Sequence, residues 1–293
     1  MKPVRLNSEC ITCLIKKYLP MYPADAKEPE KVEYMQRLLE IISKAPKSAS
    51  APEIVDEIQN VQREMFDNVE NFSKTKEYFN NLMMGLAKDL EPKLREAEDS
   101  FCLAVCYAMV GNYIDFGAMA DVDEEKLKEL LEDAESFSVD KEELERLKEE
   151  LLTAKRLVYL TDNCGEVVLD KLLISEIRKM NPELEIDVIL RGEQILNDAT
   201  LSDAQQIGLG EVARVFGNGS KIAGTCLEKI SAEAKSLIEN ADLIIAKGQG
   251  NFETLRFSKL NVYYLFMCKC MMFAERFDVP RFSPMIVNDL RME

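Results

Sequence analysis

The chain has 293 residues, 47% of them hydrophobic, with 53 acidic side chains against 37 lysines and arginines, for a net charge of -16. Such a surface repels nucleic acid and anionic membrane, which are bound through clustered positive charge, and its apolar stretches stop well short of the roughly 20 residues a membrane span needs. The absence of histidine excludes the Ser/His/Asp triad and imidazole-ligated zinc, so chemistry falls to carboxylates, amides, lysines, cysteines or a bound ion.

The segment Met1–Lys17 contains Lys, Arg and Glu but no continuous apolar core of signal-peptide type. The expectation is a cytoplasmic protein with mostly reduced thiols. Six of the eight cysteines fall in close pairs, Cys10/Cys13, Cys102/Cys106 and Cys268/Cys270. From Ile11 to Leu152 the pattern is helical. Val32, Met35, Leu38, Leu39 and Ile42 make one helix face over Lys31–Ser43, and Ile54, Val55, Ile58, Val61 and Met65 make another over Ala51–Met65. Tyr78–Leu90 and Phe101–Ile114 are more apolar, as buried helices are. Glu124–Leu152 is charged with regular leucines and reads as solvated helices.

After Lys155 short apolar, β-branched runs appear: Arg156–Thr161, Ile186–Arg191, Val212–Phe216, Leu243–Ala246 and Val262–Phe266. Helical segments separate them at Gly165–Met180, Asp198–Ile207, Thr225–Glu239 and Phe252–Lys259. This alternation predicts an α/β fold: a three-layer parallel sheet with helices on both faces, preceded by an all-helical domain. The boundary falls between 152 and 153, giving a helical domain over 1–152 and a Rossmann-like domain for metal and phosphate over 153–293.

In such sheets ligands bind beyond the carboxyl ends of the strands. The first strand runs into Thr161-Asp162-Asn163-Cys164-Gly165-Glu166. The second runs into Arg191-Gly192 and then Asn197-Asp198-Ala199-Thr200. The fourth runs into Lys247-Gly248-Gln249-Gly250-Asn251-Phe252-Glu253. Any one of these alone reads as well as a helix cap or a turn. Together they gather acids, amides, glycine and a cation at one sheet edge, the oxygen-rich setting a hard divalent ion prefers and one whose lysine and loop amides suit a phosphate. Neither a Walker A loop nor a dinucleotide fingerprint is present. Gly111-Asn112-Tyr113-Ile114-Asp115-Phe116 closes an apolar helix, either as a plain turn or as the helical half's contribution to the cleft. Lys269, between Cys268 and Cys270 after the last strand, is a candidate second phosphate contact.

These four motifs, in this order, resemble the damage-control phosphatases, a family long called domain of unknown function 89. The resemblance extends over most of the chain. It implies a metal-dependent phosphomonoesterase acting on a small phosphorylated metabolite such as a sugar phosphate or a damaged phosphate ester. It implies an ion (manganese, magnesium, cobalt or nickel) held by Asp162, Asn163 and Asp198, with Lys247 on the substrate phosphate. Glu166, Arg191, Asn112, Asp115, Asn251 and Glu253 would line the pocket, and Cys10-x-x-Cys13 resembles a feature of a prokaryotic branch. Asp162, Lys247 and Glu166 are then the catalytic candidates, with Gly248 and its neighbours offering main-chain amides to the phosphate. Two routes stay open for Asp162, ion ligand and nucleophile forming an aspartyl phosphate. Three other readings compete: a non-catalytic nucleotide or cofactor binder, a thiol-based metal or redox protein using the cysteine pairs, and a helical adaptor.

Overall fold

The structure is a computed structural model that describes residues 6–66, 71–115, 122–137 and 139–292. The first half is helical: α1 (Ser8–Tyr18), α2 (Glu28–Lys44), α3 (Ala51–Phe66), α4 (Ser73–Glu96), α5 (Ser100–Gly111), α6 (Glu124–Glu132) and α7 (Lys141–Thr153). Side-chain caps set several of the starts. Asn7 Oδ1 accepts from the Glu9 and Cys10 amides, Asp99 from Cys102, and Asp140 from Glu142 and Glu143. The leucine-rich segment over 124–152 is two helices, broken by a 3-10 turn at Ala134–Ser136.

Then come β1 (Arg156–Leu160), α8 (Glu166–Met180), β2 (Glu185–Leu190), α9 (Leu201–Gln206), β3 (Arg214–Gly217), α10 (Ala232–Glu239), β4 (Leu243–Lys247), α11 (Gly248–Leu255), β5 (Val262–Met267), α12 (Met271–Phe277) and β6 (Pro284–Asn288). The sheet order is β3-β2-β1-β4-β5-β6. Five strands are parallel, as expected; β6, which the sequence pattern did not reveal, pairs antiparallel with β5. The helix expected from Phe252 already begins at Gly248, so Lys247-Gly-Gln-Gly is a strand end running directly into a helix. The helices expected from Asp198 and Thr225 begin only at Leu201 and Ala232.

Alternation along the strands divides the core between the two faces. Leu157, Tyr159, Val188, Ile245 and Leu265 pack with α4, α5, α7 and α8. Val158, Leu160, Ile244, Ala246 and Phe266 pack with α10, α11 and α12. The core therefore runs across residue 152, because α5, apolar all round, forms part of one outer layer. The first three helices make a separate small cluster with Ile195. The chain leaves β1 for β2 and β3 on one side, then crosses to β4 on the other. The crevice beyond β1 and β4 is thus the topological switch point.

Candidate active site

Asp162 and Asn163 follow β1, and Gly165, at φ +69, turns the chain into α8. The loop after β2 folds back onto them. The Ala199 amide donates to Asp162 O at 2.7 Å, the Cys164 amide to Asn197 O at 2.8 Å, and Asn163 and Asp198 form an isolated antiparallel bridge. Residues 35 positions apart in sequence thus share one floor. Asp162, Asn163, Asp198 and Asp115 line a cavity of about 200 Å³, together with Gln249, Gly250 and Glu253 from α11.

The other expected site residues lie beneath this floor. Arg191, 1% exposed, donates from Nε to Asp198 Oδ2 at 2.7 Å, from Nη2 to Asp162 Oδ1 at 3.3 Å and from Nη1 to Asn251 Oδ1 at 3.3 Å. It clamps the two carboxylates and does not line the cavity. Asn112 Nδ2 donates to Asp162 Oδ2 at 3.0 Å and to Glu166, while its Oδ1 accepts from the Met267 amide. Asn251 is saturated by Arg191, Thr225, Thr161 O and Lys247 O. Glu166 is fully buried and accepts from Asn112, Asn163 and Lys247. None of these four lines the cavity, where the resemblance implied that they would.

Lys247 does not line the cavity. Its ammonium is fully buried and donates to Glu166 Oε1 at 2.7 Å, Asp170 Oδ1 at 2.7 Å and Ala108 O at 2.8 Å. An ammonium has three protons, and these three bonds use all of them. Burial works against its charge, but Asp170 and Glu166 outweigh it and hold the pKa above the ordinary lysine value. Lys269 also points inward: its Nζ donates to Asp115 Oδ2 at 2.5 Å with the side chain 1% exposed.

Around the strand ends, then, the carboxylates of Asp115, Asp162, Glu166, Asp170 and Asp198 meet the cations of Arg191, Lys247 and Lys269. Asp162 and Asp198 share Arg191, Glu166 and Asp170 share Lys247, and Asp115 has Lys269. Burial, reinforced by Glu166 and Asp198, pushes the Asp162 carboxyl well above its usual range despite Arg191. Burial likewise raises Asp198 to about 6. Glu253, whose carboxylate accepts from the Ala51 amide at the start of α3, is pushed by burial up to about 7.

The position of Gly248 explains why α11 opens on a glycine. Its φ is +77, and a Cβ there would stand 1.9 Å from Asp162 Oδ2. The glycine makes room for the carboxylate. Leu196 is the opposite case: a leucine at φ 45 that lines the cavity beside Asp198. The left-handed conformation costs a non-glycine residue on the order of 1 kcal/mol, which the paired loop on either side of Leu196 sustains.

Sequence reasoning missed two residues. Asp170 lies one helical turn after Glu166 on α8, the lone acid among Val167, Val168, Leu169 and Leu173, a signal for a paired buried charge. Gln249 lines the cavity; its Oε1 accepts from the Lys269 amide at 3.1 Å, and its Nε2 has no partner among the described residues. Phe116, the last residue of the expected helical-half motif, lies outside the described residues.

The oxygen set fits a divalent ion. Two carboxylates that share one guanidinium line the cavity with one amide, and Asn163 Nδ2 is turned to Asp162 Oδ2 at 2.8 Å and Glu166 Oε2 at 3.0 Å, leaving its carbonyl oxygen as the available ligand atom. Among the described residues no three acidic or thiol side chains close into a metal-holding group. Cys10, Cys13 and Cys270 share the cavity's rim, whereas Cys102 and Cys106 belong to the α5 layer and do not line it. Among the described residues no helix is long and apolar enough to cross a membrane.

Residues 6–284 match the model of the damage-control phosphatase ARMT1-like domain. A damage-control phosphatase of Pyrococcus horikoshii is 37% identical over 194 residues, and one of Archaeoglobus fulgidus is 33% identical over 191 residues. Each of these alignments spans 64% of this chain and 64% of the relative, less than two thirds of its length. An uncharacterised protein of Methanocaldococcus jannaschii is 30% identical over 94% of this chain and 93% of its own. The crystal structure of a domain-of-unknown-function-89 protein from P. horikoshii superposes with a TM-score of 0.80 at 28% identity, covering 97% of this chain and 99% of that one. Fold, strand-end motifs and relatives agree: the chain belongs to the damage-control phosphatase ARMT1-like family.

Proposed function

We propose that the protein is a metal-dependent phosphomonoesterase acting on small phosphorylated metabolites. The observation that carries this is the convergence of Asp162, Asn163 and Asp198 on one cavity, with a single guanidinium, that of Arg191, shared between the two carboxylates. The Asp162 and Asp198 carboxylates and the Asn163 amide oxygen would hold the ion, manganese, magnesium, cobalt or nickel. Bound there, such an ion neutralises a phosphoryl group and acidifies water.

The chain's own groups do the rest. Arg191 and Asn112 fix the two carboxylates from below, so their orientation does not have to be found during turnover. Gln249 Nε2, a buried donor at the cavity, is placed to bond a phosphoryl oxygen. The start of α11, at Gly248–Gly250, presents main-chain amides on the same side. With no histidine in the chain, Glu253, raised to about 7, is the carboxyl suited to protonate a leaving alkoxide at neutral pH. Lys247 and Glu166 act one layer back, by holding the floor's charges in place.

The test is phosphate release from a panel of phosphomonoesters with Mg, Mn, Co or Ni, and again with excess EDTA. Release that depends on an added ion and is lost with EDTA is expected. No release with any ion, or equal release with EDTA, rejects the proposal.

A further inference from the structure

A phosphate monoester brings negative charge into a cavity already lined by the carboxylates of Glu9, Asp115, Asp162, Asp198 and Glu253. The cations around the strand ends are committed elsewhere. Arg191 is shared by Asp162 and Asp198, Lys247 by Glu166 and Asp170, and Lys269 is paired with Asp115. Among the described residues that line the cavity, Lys17 is the one cation. It stands in the last turn of α1. Cys10, Cys13, Leu14 and Lys17 all line the cavity and recur at the spacing i, i+3, i+4 and i+7, so one stripe of α1 faces it. Lys17 is half-buried, and its Nζ lies 5.5 Å from the centroid of the neighbouring Tyr18 ring, within cation–π range. Tyr18 is buried and also lines the cavity. Burial pushes its hydroxyl up, and Cys13, Tyr34, Asp115 and Asp198 add to the effect, so this end of α1 lies within electrostatic reach of the floor.

We infer that Lys17 pairs with the phosphoryl group of the substrate, so that α1, from the helical half, supplies the cation of the substrate site. This rests on the phosphomonoesterase reading above. The phosphoryl oxygens turned away from the floor need a source of positive charge, and a charge-assisted bond from an ammonium is the strong kind. The lysine head is a compact charge on a flexible four-carbon stem, which lets it follow the group from ester to free phosphate. The phosphate contact that the sequence suggested at Lys247 falls instead to a lysine 230 positions earlier, on a helix whose stripe faces the cavity.

The experiment compares the wild type with Lys17→Gln and Lys17→Arg in the presence of manganese. It reads KM and kcat for p-nitrophenyl phosphate, inhibition by inorganic phosphate, and the rise in melting temperature that inorganic phosphate causes. In Lys17→Gln, KM and the inhibition constant for phosphate should both rise roughly tenfold or more, the loss of one charge-assisted bond. The phosphate-induced rise in melting temperature should shrink with them. Without phosphate the variant should melt within about 2 °C of the wild type, since the residue is only half-buried. Lys17→Arg, which keeps the charge, should stay within about threefold of the wild type on both constants. A merely structural lysine would shift the melting temperature without phosphate and leave phosphate inhibition alone. A Lys17→Gln that melts normally and keeps both constants within twofold overturns the inference and leaves the phosphatase reading intact. A wild type that phosphate stabilises but that releases none from any ester with any ion rejects the phosphatase reading, while the melting shift still decides whether Lys17 holds the anion.

Discussion

Replacing Asp162 with asparagine lowers metal-stimulated phosphate release by roughly 10³-fold or more. The substitution keeps the size of the side chain but removes a charge from the cavity floor that no neighbour can replace: Asp198 is held by Arg191, and Glu166 is sealed beneath. A second readout separates this from simple misfolding. Asp162 and Asp198 both titrate above the usual carboxylate range in the fold. The folded state therefore holds these protons more tightly than the unfolded chain, and stability present near pH 4 is lost as pH rises through about 6. The metal-free wild type should melt roughly 5 °C lower at pH 7.5 than at pH 5 on this account, and manganese should restore the difference at pH 7.5. In Asp162→Asn both the pH-dependent drop and the restoration by manganese shrink. Near-normal turnover in the variant would remove Asp162 from the chemistry.

Lys247→Met is the other large effect, and it concerns stability first. Methionine fills the space of the lysine but leaves Glu166 and Asp170 as buried carboxylates without their cation. Breaking a buried pair from one side costs roughly 3–5 kcal/mol, which corresponds to a melting temperature lower by roughly 6–15 °C. A lysine that held the substrate phosphate would give the opposite pattern, a raised KM with little loss of stability. The geometry predicts that kcat falls, because Glu166 no longer braces Asn112 and Asn163, while KM stays within about twofold. Adding Asp170→Asn to the variant should recover part of the melting temperature, since it removes one unpaired charge. Unchanged melting with a tenfold higher KM would restore the phosphate-binding role.

Lys247 also shows where sequence reasoning stops. That it follows a buried strand at the carboxyl edge of the sheet was legible, because β4 is a continuous apolar run and the residues after it are polar. Which way its side chain points was not. Along β4, Ile245 and Lys247 share a face, and Ile245 belongs to the core under α5 and α8. The lysine therefore points beneath α8, not into the crevice. Deciding that requires knowing which helices cover which face, a matter of long-range packing. Gly248 was read as a loop amide for phosphate, yet its lack of a Cβ serves Asp162. The antiparallel β6 was hidden for a local reason: five residues beginning with proline after a turn carry little strand signal. The cavity wall was out of reach altogether, since α1 and α3 look like ordinary amphipathic helices until they are docked over the strand ends. By contrast, the pairing of Asp162-Asn163 with Asp198 followed from one rule, that the carboxyl ends of parallel strands converge, and the structure places the three side chains on one floor.

The most direct measurement is anomalous X-ray scattering from a crystal soaked in manganese. A single strong peak among Asp162, Asn163 and Asp198 is the predicted result. A peak at Cys10, Cys13 and Cys270 with none on the floor would contradict the account, as would a crystal that takes up no ion at either place.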